Sequence, residues 1–279
     1  MHAKNLNSMM NYKDLDMDIL KDIDEIDRVD LSKYDCVYSP SHPIDVSKYP
    51  NTKFVFGPHF SVFPQEKVLP ILDSETVVYI QPSQWCIDSW NEFPICKTLK
   101  MASIPFGVDT DLFHDVLPSK LRTKVFIYFK TRRPEELMLI ENLLRSQDID
   151  YTIFNYDTRY DEQDYIRFLQ RAKYGIWLGR HESQGFALEE ALSCNIPLFV
   201  WDVNTMNQEY GQNYPECPAT TIPYFDKRCG KAIKNPDNIL NDFQSFLKDI
   251  ENFSPRQYVL DNLSYDACSK KWITLIQNM

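Results

Sequence analysis

"GRHESQGFALEEALSCNIPLFVWDV", residues 179–203, carries the reading of the whole chain. The run just before it, "YGIWLG" (174–179), is apolar, aromatic and stopped by glycine, which reads as a buried strand. "SQGFALEEALSC" (183–194) reads as a helix, and "PLFVWDV" (197–203) as the next strand. Glu182 falls in the turn and Glu190 about two turns into the helix, so both can face one cleft. In open α/β sheets ligands bind at the carboxyl ends of strands. A helix start supplies unused N–H groups and partial positive charge, which suits a phosphate. Gly185 lets the backbone approach it. On spacing alone, solvated helix glutamates at 189 and 190 and an ordinary turn glycine at 185 are the plainer reading.

Outward from this stretch the strand–helix alternation continues. "TKVFIYFK" (123–130), "DYTIFNY" (150–156) and the two strands above alternate with helices over 133–147, 161–172 and 183–194. Pro134 followed by Glu135 and Glu136 is a helix-start signature. This pitch predicts a parallel, doubly wound sheet. Three shorter runs, "DCVYSP" (35–40), "KFVFGP" (53–58) and "TVVYIQP" (76–82), predict strands of a first half with room for three or four. Residues 1–13 read as a loose tail, and Leu15, Ile19, Ile23, Ile26 and Val29 are spaced for an amphipathic helix over 14–30. Residues 236–253 and 254–277 read as helical. The two α/β halves join near 104–113.

The chain has 279 residues and a net charge of −10. So acidic a chain is a poor nucleic-acid binder, because phosphate backbones need clustered Lys and Arg. Seven cysteines without a Cys-x-x-Cys pair point to reduced thiols and no structural zinc. No apolar run approaches the ~18 residues of a membrane span, and the N-terminus lacks a secretory apolar core. A cytoplasmic protein is expected. Asp-x-Asp pairs such as Asp109/Asp111 and Asp148/Asp150 are explained by the abundance of acidic residues, and no metal is expected.

"ESQG…EALSCNIP…LFVW" resembles the glutamate-seven-glutamate motif of retaining GT-B-fold glycosyltransferases, in particular glycosyltransferase family 4. "SIPFGVDTDLF" (103–113) resembles the linker between the two domains of that family, and it falls at the junction inferred above. The resemblance covers residues 76–203 well and the rest loosely. It implies two Rossmann-like domains facing a cleft: a reduced acceptor-side domain over 1–104, a nucleotide-sugar-binding domain over 105–255, and a C-terminal helix, 256–279, crossing back to the first. It implies transfer of a hexosyl or pentosyl group from a nucleotide-diphosphate sugar to an acceptor hydroxyl, with retention and without a metal. The UDP- or GDP-linked sugar is a substrate, so no cofactor is implied. The acceptor (glycan, lipid or protein) is left open.

Roles follow residue by residue. Glu182 would contact sugar hydroxyls and Glu190 the nucleotide ribose. The N–H groups near Gln184, Gly185 and Phe186 would face the diphosphate, with Ser183 also in the nucleotide-sugar site. Lys130 and Arg132, with Arg133 third, stand in "KTRR" after the strand where the family binds the leaving diphosphate. The family spaces its Arg and Lys more widely, and Glu136 stands six residues after Lys130. Tyr156 offers an aromatic face to the nucleobase, Arg180 and His181 flank the motif, and His59 in "FGPHF" is the acceptor-side candidate. The family's Gly-rich turn in the first domain is missing, since Gly57 is the only glycine before the linker. A non-catalytic nucleotide-sugar-binding or partner-subunit protein of the same fold is the alternative. A relative that isomerises or hydrolyses nucleotide sugars is a third reading, and a Rossmann NAD enzyme is distant, because no G-x-G-x-x-G occurs.

Overall fold

The computed structural model describes residues 2–40, 42–58, 63, 64, 75–158 and 160–279. The chain divides into two compact units. One comprises residues 1–107 and 265–279, the other residues 108–264. The return boundary thus falls between Ser264 and Tyr265, not at 255.

The first unit holds a parallel sheet of β1 (Val37–Ser39), β2 (Phe54–Phe56), β3 (Val77–Gln81) and β4 (Met101–Ser103), ordered β1-β2-β3-β4. The three strands expected from the sequence are present, and β4 is added to them. At three half-buried residues on the sheet edge, β4 is too short to show a pattern. Phe54, Phe56, Val77 and Tyr79 pack with Trp90 of helix α2 (Gln84–Asn91), Tyr79 stacking on Trp90 at 4.9 Å.

The N-terminal expectations are corrected. Helix α1 spans His2–Met9, where a loose tail was expected. It is held because Ser8 Oγ donates to the carbonyl of Gly107, and Gly107 N–H donates to the Tyr12 hydroxyl at 3.1 Å. The helix expected over 14–30 is only a 3-10 turn at Ile23–Arg28. Of its five apolar positions Ile26 alone is buried. The aspartates explain the loss: Asp22 accepts from Asp24 N–H, and Asp30 from Ser32 N–H, which are local bonds that compete with helical ones.

The second unit holds β5 (Lys124–Phe129), β6 (Thr152–Asn155), β7 (Ala172–Leu178), β8 (Leu198–Trp201) and β9 (Gly230–Ile233), all parallel, in the order β6-β5-β7-β8-β9. The order reverses at β5, so the chain leaves β5 and β7 in opposite directions and opens a crevice beyond their carboxyl ends. Both faces of the sheet are covered. Phe126, Tyr128, Trp177, Leu198 and Val200 face α4 (Glu162–Leu169), α5 (Phe186–Ser193) and α7 (Pro255–Asn262). Val125, Ile127, Phe129, Ile176 and Phe199 face α3 (Pro134–Ser146) and α6 (Ile239–Lys248). Burial on two sides is why these strands read as unbroken apolar runs. Strand β9 was not expected, because its half-exposed Gly-Lys start lacks that signal. Helix α8 (Tyr265–Gln277) belongs to the first unit, where Trp272 packs against Tyr38 at 4.9 Å.

Candidate functional site

The crevice at the ends of β5 and β7 collects most of the residues singled out in the sequence. Lys130 follows β5 directly, its N–H bonded to Leu178 O of β7 at 3.0 Å. Its Nζ lies 2.5 Å from Glu182 Oε1, with both side chains largely buried. The same Nζ sits 4.2 Å from the centre of the Tyr156 ring, which is itself half exposed. A cation in contact with a carboxylate and an aromatic face is well held and close to solvent at once.

Glu182 is positioned from its backbone. Its N–H donates to Thr220 O at 3.0 Å. Thr220 and Thr221 are in turn gathered by Asp202 at the end of β8. The Asp202 carboxylate accepts from Thr221 N–H at 2.7 Å, Val203 N–H at 2.9 Å and Thr220 Oγ1 at 2.9 Å. Burial raises the carboxyl pKa of Asp202, and these bonds oppose that shift. The close approach requires Gly179: a Cβ there would lie 2.2 Å from Thr221 Oγ1. Sequence reasoning missed Asp202, whose position at a strand's carboxyl end was the available signal.

Helix α5 begins at Gly185, whose φ of 84° and ψ of 40° lie in the left-handed region that favours glycine. The turn brings Gly185 close to Glu182, since a Cβ on Gly185 would lie 3.8 Å from the Glu182 Cβ. The other end is firmly closed. Asn195 takes φ 59°, its N–H bonds Leu192 O, and Ile196 N–H bonds Ala191 O, a Schellman arrangement. Two guanidinium groups complete it, Arg256 on Ser193 O at 2.8 Å and Arg122 on Cys194 O at 2.9 Å. They complement the negative end of the helix dipole.

Glu189 and Glu190 are not solvated, as the plainer reading had them: Glu189 is fully buried and Glu190 is 9% exposed. Glu189 accepts from Gln184 Nε2 at 2.7 Å, which ties the Gln184 side chain to the helix. Glu190 faces Tyr160 and Tyr165. The Tyr160 hydroxyl is pushed up to about 12, by burial first, with the Glu190 charge contributing. Ser183 and Phe186 are half-buried beside them.

Arg132 is held differently from what its motif position implied. Its side chain is fully buried, with Nε and Nη2 on the two oxygens of Glu136 at 2.9 and 2.8 Å. Nη1 donates to Gly179 O at 3.1 Å and to Trp201 O at 2.8 Å. Arg132 therefore clamps the ends of β7 and β8 to the start of α3. Arg133, the N-cap of α3, is exposed. The acceptor-side candidate, His59, lies outside the described residues.

Beside Glu182, Arg180 Nη1 meets Glu209 Oε2 at 3.1 Å, and His181 Nδ1 lies 3.4 Å from the same oxygen. Glu209, in the loop after β8, carried no signal in the sequence. Burial, then the charges of Arg180 and Lys130, lower the His181 pKa to about 4, so the imidazole is neutral at pH 7 and its contact with Glu209 is no ion pair. The unfolded chain protonates His181 below pH ~6.5 and the folded chain only near 4, so stability is full above 6.5 and is lost as pH falls between the two values. From pH 7 to pH 5 this loss amounts to about 2 kcal/mol. Urea unfolding of His181→Gln at both values should show that increment removed. An unchanged pH dependence would refute the assignment.

Among the described residues no group of three His, Cys, Asp or Glu converges as metal ligands, and no helix is long and apolar enough to cross a membrane. Neither a protein-family model nor a curated protein sequence matches the chain. Solved structures do match. Sucrose-phosphate synthase from Thermosynechococcus elongatus is 14% identical with a TM-score of 0.51, over 84% of this chain and 69% of that one. The N-terminal domain of Candida albicans trehalose-6-phosphate phosphatase is 12% identical with a TM-score of 0.55, over 87% and 70%. TarM is 14% identical with a TM-score of 0.51, over 81% of this chain, which spans only 50% of TarM. Identities this low carry the architecture alone. With two parallel-sheet Rossmann-like units and these neighbours, the chain has a GT-B-like α/β fold.

Proposed function

We propose that the chain is a glycosyltransferase that moves a sugar from a UDP- or GDP-linked donor to an acceptor hydroxyl, with retention and without a metal. The observation that carries this reading is the Lys130–Glu182 pair at the strand-order reversal, next to the left-handed Gly185 start of α5. Cleavage of the anomeric C–O bond leaves its electron pair on the diphosphate. In this reading Lys130 and the first N–H groups of α5 stabilise that charge where it develops. A leaving-group oxygen takes the proton of the acceptor hydroxyl, so no protein base is required. In this reading Glu182 orients the sugar and Glu190 the ribose, while Tyr156 covers the base. None of the seven cysteines is in a disulfide and five are buried, which suits a reducing, cytoplasmic setting.

One observation favours a second reading, a non-catalytic nucleotide-sugar-binding or partner-subunit protein: the motif arginine is committed to internal bonds. A panel of UDP- and GDP-sugars without metal separates the two, read by thermal shift and by nucleoside diphosphate release, with Glu190→Ala alongside. Stabilisation by one donor with release, both lost in Glu190→Ala, supports transfer. Stabilisation without release, candidate acceptors included, favours the binding protein. A folded protein that responds to no donor refutes both.

A further inference from the structure

The family resemblance assigns Arg132 as the second cation for the leaving diphosphate. Its four hydrogen bonds, to Glu136, Gly179 O and Trp201 O, would all have to break before it reached a ligand. Another cation stands at the same crevice. Arg180 comes two residues after the last residue of β7, and its side chain keeps 29% of its surface exposed. It is held by Nη1 on Glu209 Oε2 at 3.1 Å. Glu182, which raises the Arg180 pKa through its charge after burial has acted to lower it, is also the partner of Lys130. Lys130, Glu182, Arg180 and Glu209 thus form one chain of alternating charge at the strand ends.

The loop that carries Glu209 is fixed there, because the next residue, Tyr210, donates its N–H to Thr131 O at 2.9 Å in the turn after Lys130. The field of the two cations reaches inward as well, since both help to hold His181 neutral. A guanidinium presents a planar fork of donors that matches phosphate oxygens two at a time, and one occupied N–H leaves the fork usable.

We propose that Arg180, and not Arg132, is the second diphosphate-binding cation, and that Glu209 is the internal carboxylate which a diphosphate displaces from it. This rests on reading the crevice as a diphosphate site. Glu182 and Glu209 then do for the two cations what the donor's phosphates do on binding: they neutralise charge that burial would otherwise penalise.

Calorimetric titration with inorganic pyrophosphate, free of divalent metal, tests this on the full chain. Wild type should bind, and Arg180→Gln should weaken binding by about 10- to 100-fold, the worth of charge-assisted bonds to one guanidinium. Arg180→Lys should recover part of that loss, because it restores the charge without the fork. Glu209→Gln should tighten binding by roughly 3- to 10-fold, since the competing carboxylate is gone. A purely structural Arg180–Glu209 pair predicts no such tightening. Should Arg180→Gln fail to fold, the Glu209→Gln arm, which keeps Arg180, decides. If wild type binds and folded Arg180→Gln binds within about twofold of it, or Glu209→Gln binds more weakly, this assignment falls and the diphosphate site stands. If wild type does not bind pyrophosphate, the reading of the crevice falls with it.

Discussion

Arg132→Ala will destabilise the second unit by about 3–5 kcal/mol, the usual cost of removing one partner of a buried, hydrogen-bonded ion pair. The loss is large because three groups lose their donor together: the Glu136 carboxylate and the carbonyls of Gly179 and Trp201. Arg132→Lys will retain the charge but not the fork that reaches all three, and will recover only part of the loss. Arg132→Met combined with Glu136→Leu will fare better than Arg132→Ala alone, because no carboxylate is then left unpaired. Urea unfolding followed by tryptophan fluorescence measures each variant. A shift equivalent to less than about 1 kcal/mol for Arg132→Ala would show that the clamp is dispensable.

Lys130→Ala will lower sugar-transfer turnover by about 10²–10³-fold if the crevice works as proposed, because a preorganised cation at the developing diphosphate charge is worth that much. The effect should fall mainly on kcat, since the charge grows as the bond breaks and is smaller in the bound donor. Glu182→Gln makes the needed comparison. It frees Lys130 from its carboxylate but removes an acceptor for sugar hydroxyls, so KM for the donor should rise along with any fall in kcat. Lys130→Ala leaves Glu182 without this cation in a largely buried place, so thermal unfolding of each variant must accompany the kinetics. A folded Lys130→Ala enzyme with turnover within about threefold of wild type would remove Lys130 from the reaction.

The candidate site was legible where its chemistry sits within one local unit. Glu182, Gly185 and Glu190 belong to a single strand–turn–helix stretch, and Lys130 is the first residue beyond a strand, so periodicity and the resemblance located them together. Residues whose meaning depends on partners remote in the chain were not legible. Arg132 looks like a ligand-binding cation in sequence, and the bonds that clamp it go to Gly179 and Trp201, 47 and 69 residues later. Asp202 and Glu209 act on Glu182 and Arg180 through a loop that the sequence left unmarked.

Apart from β9, the second unit's strands and the helices between them were determined by the sequence itself. Strands buried on two faces must be apolar throughout, and helices between them must repeat every three to four residues. Segments 1–13 and 14–30 came out differently for the opposite reason. Periodicity says where a buried face would lie, not whether anything is there to bury it. The tail found Gly107 and became a helix, while the acidic stretch buried only Ile26 and let its aspartates bond locally. Tertiary structure alone decided how each guanidinium near the strand ends is held. Arg132 is held by Glu136 and two backbone carbonyls and Arg180 by Glu209, and only the folded chain brings those acceptors within reach.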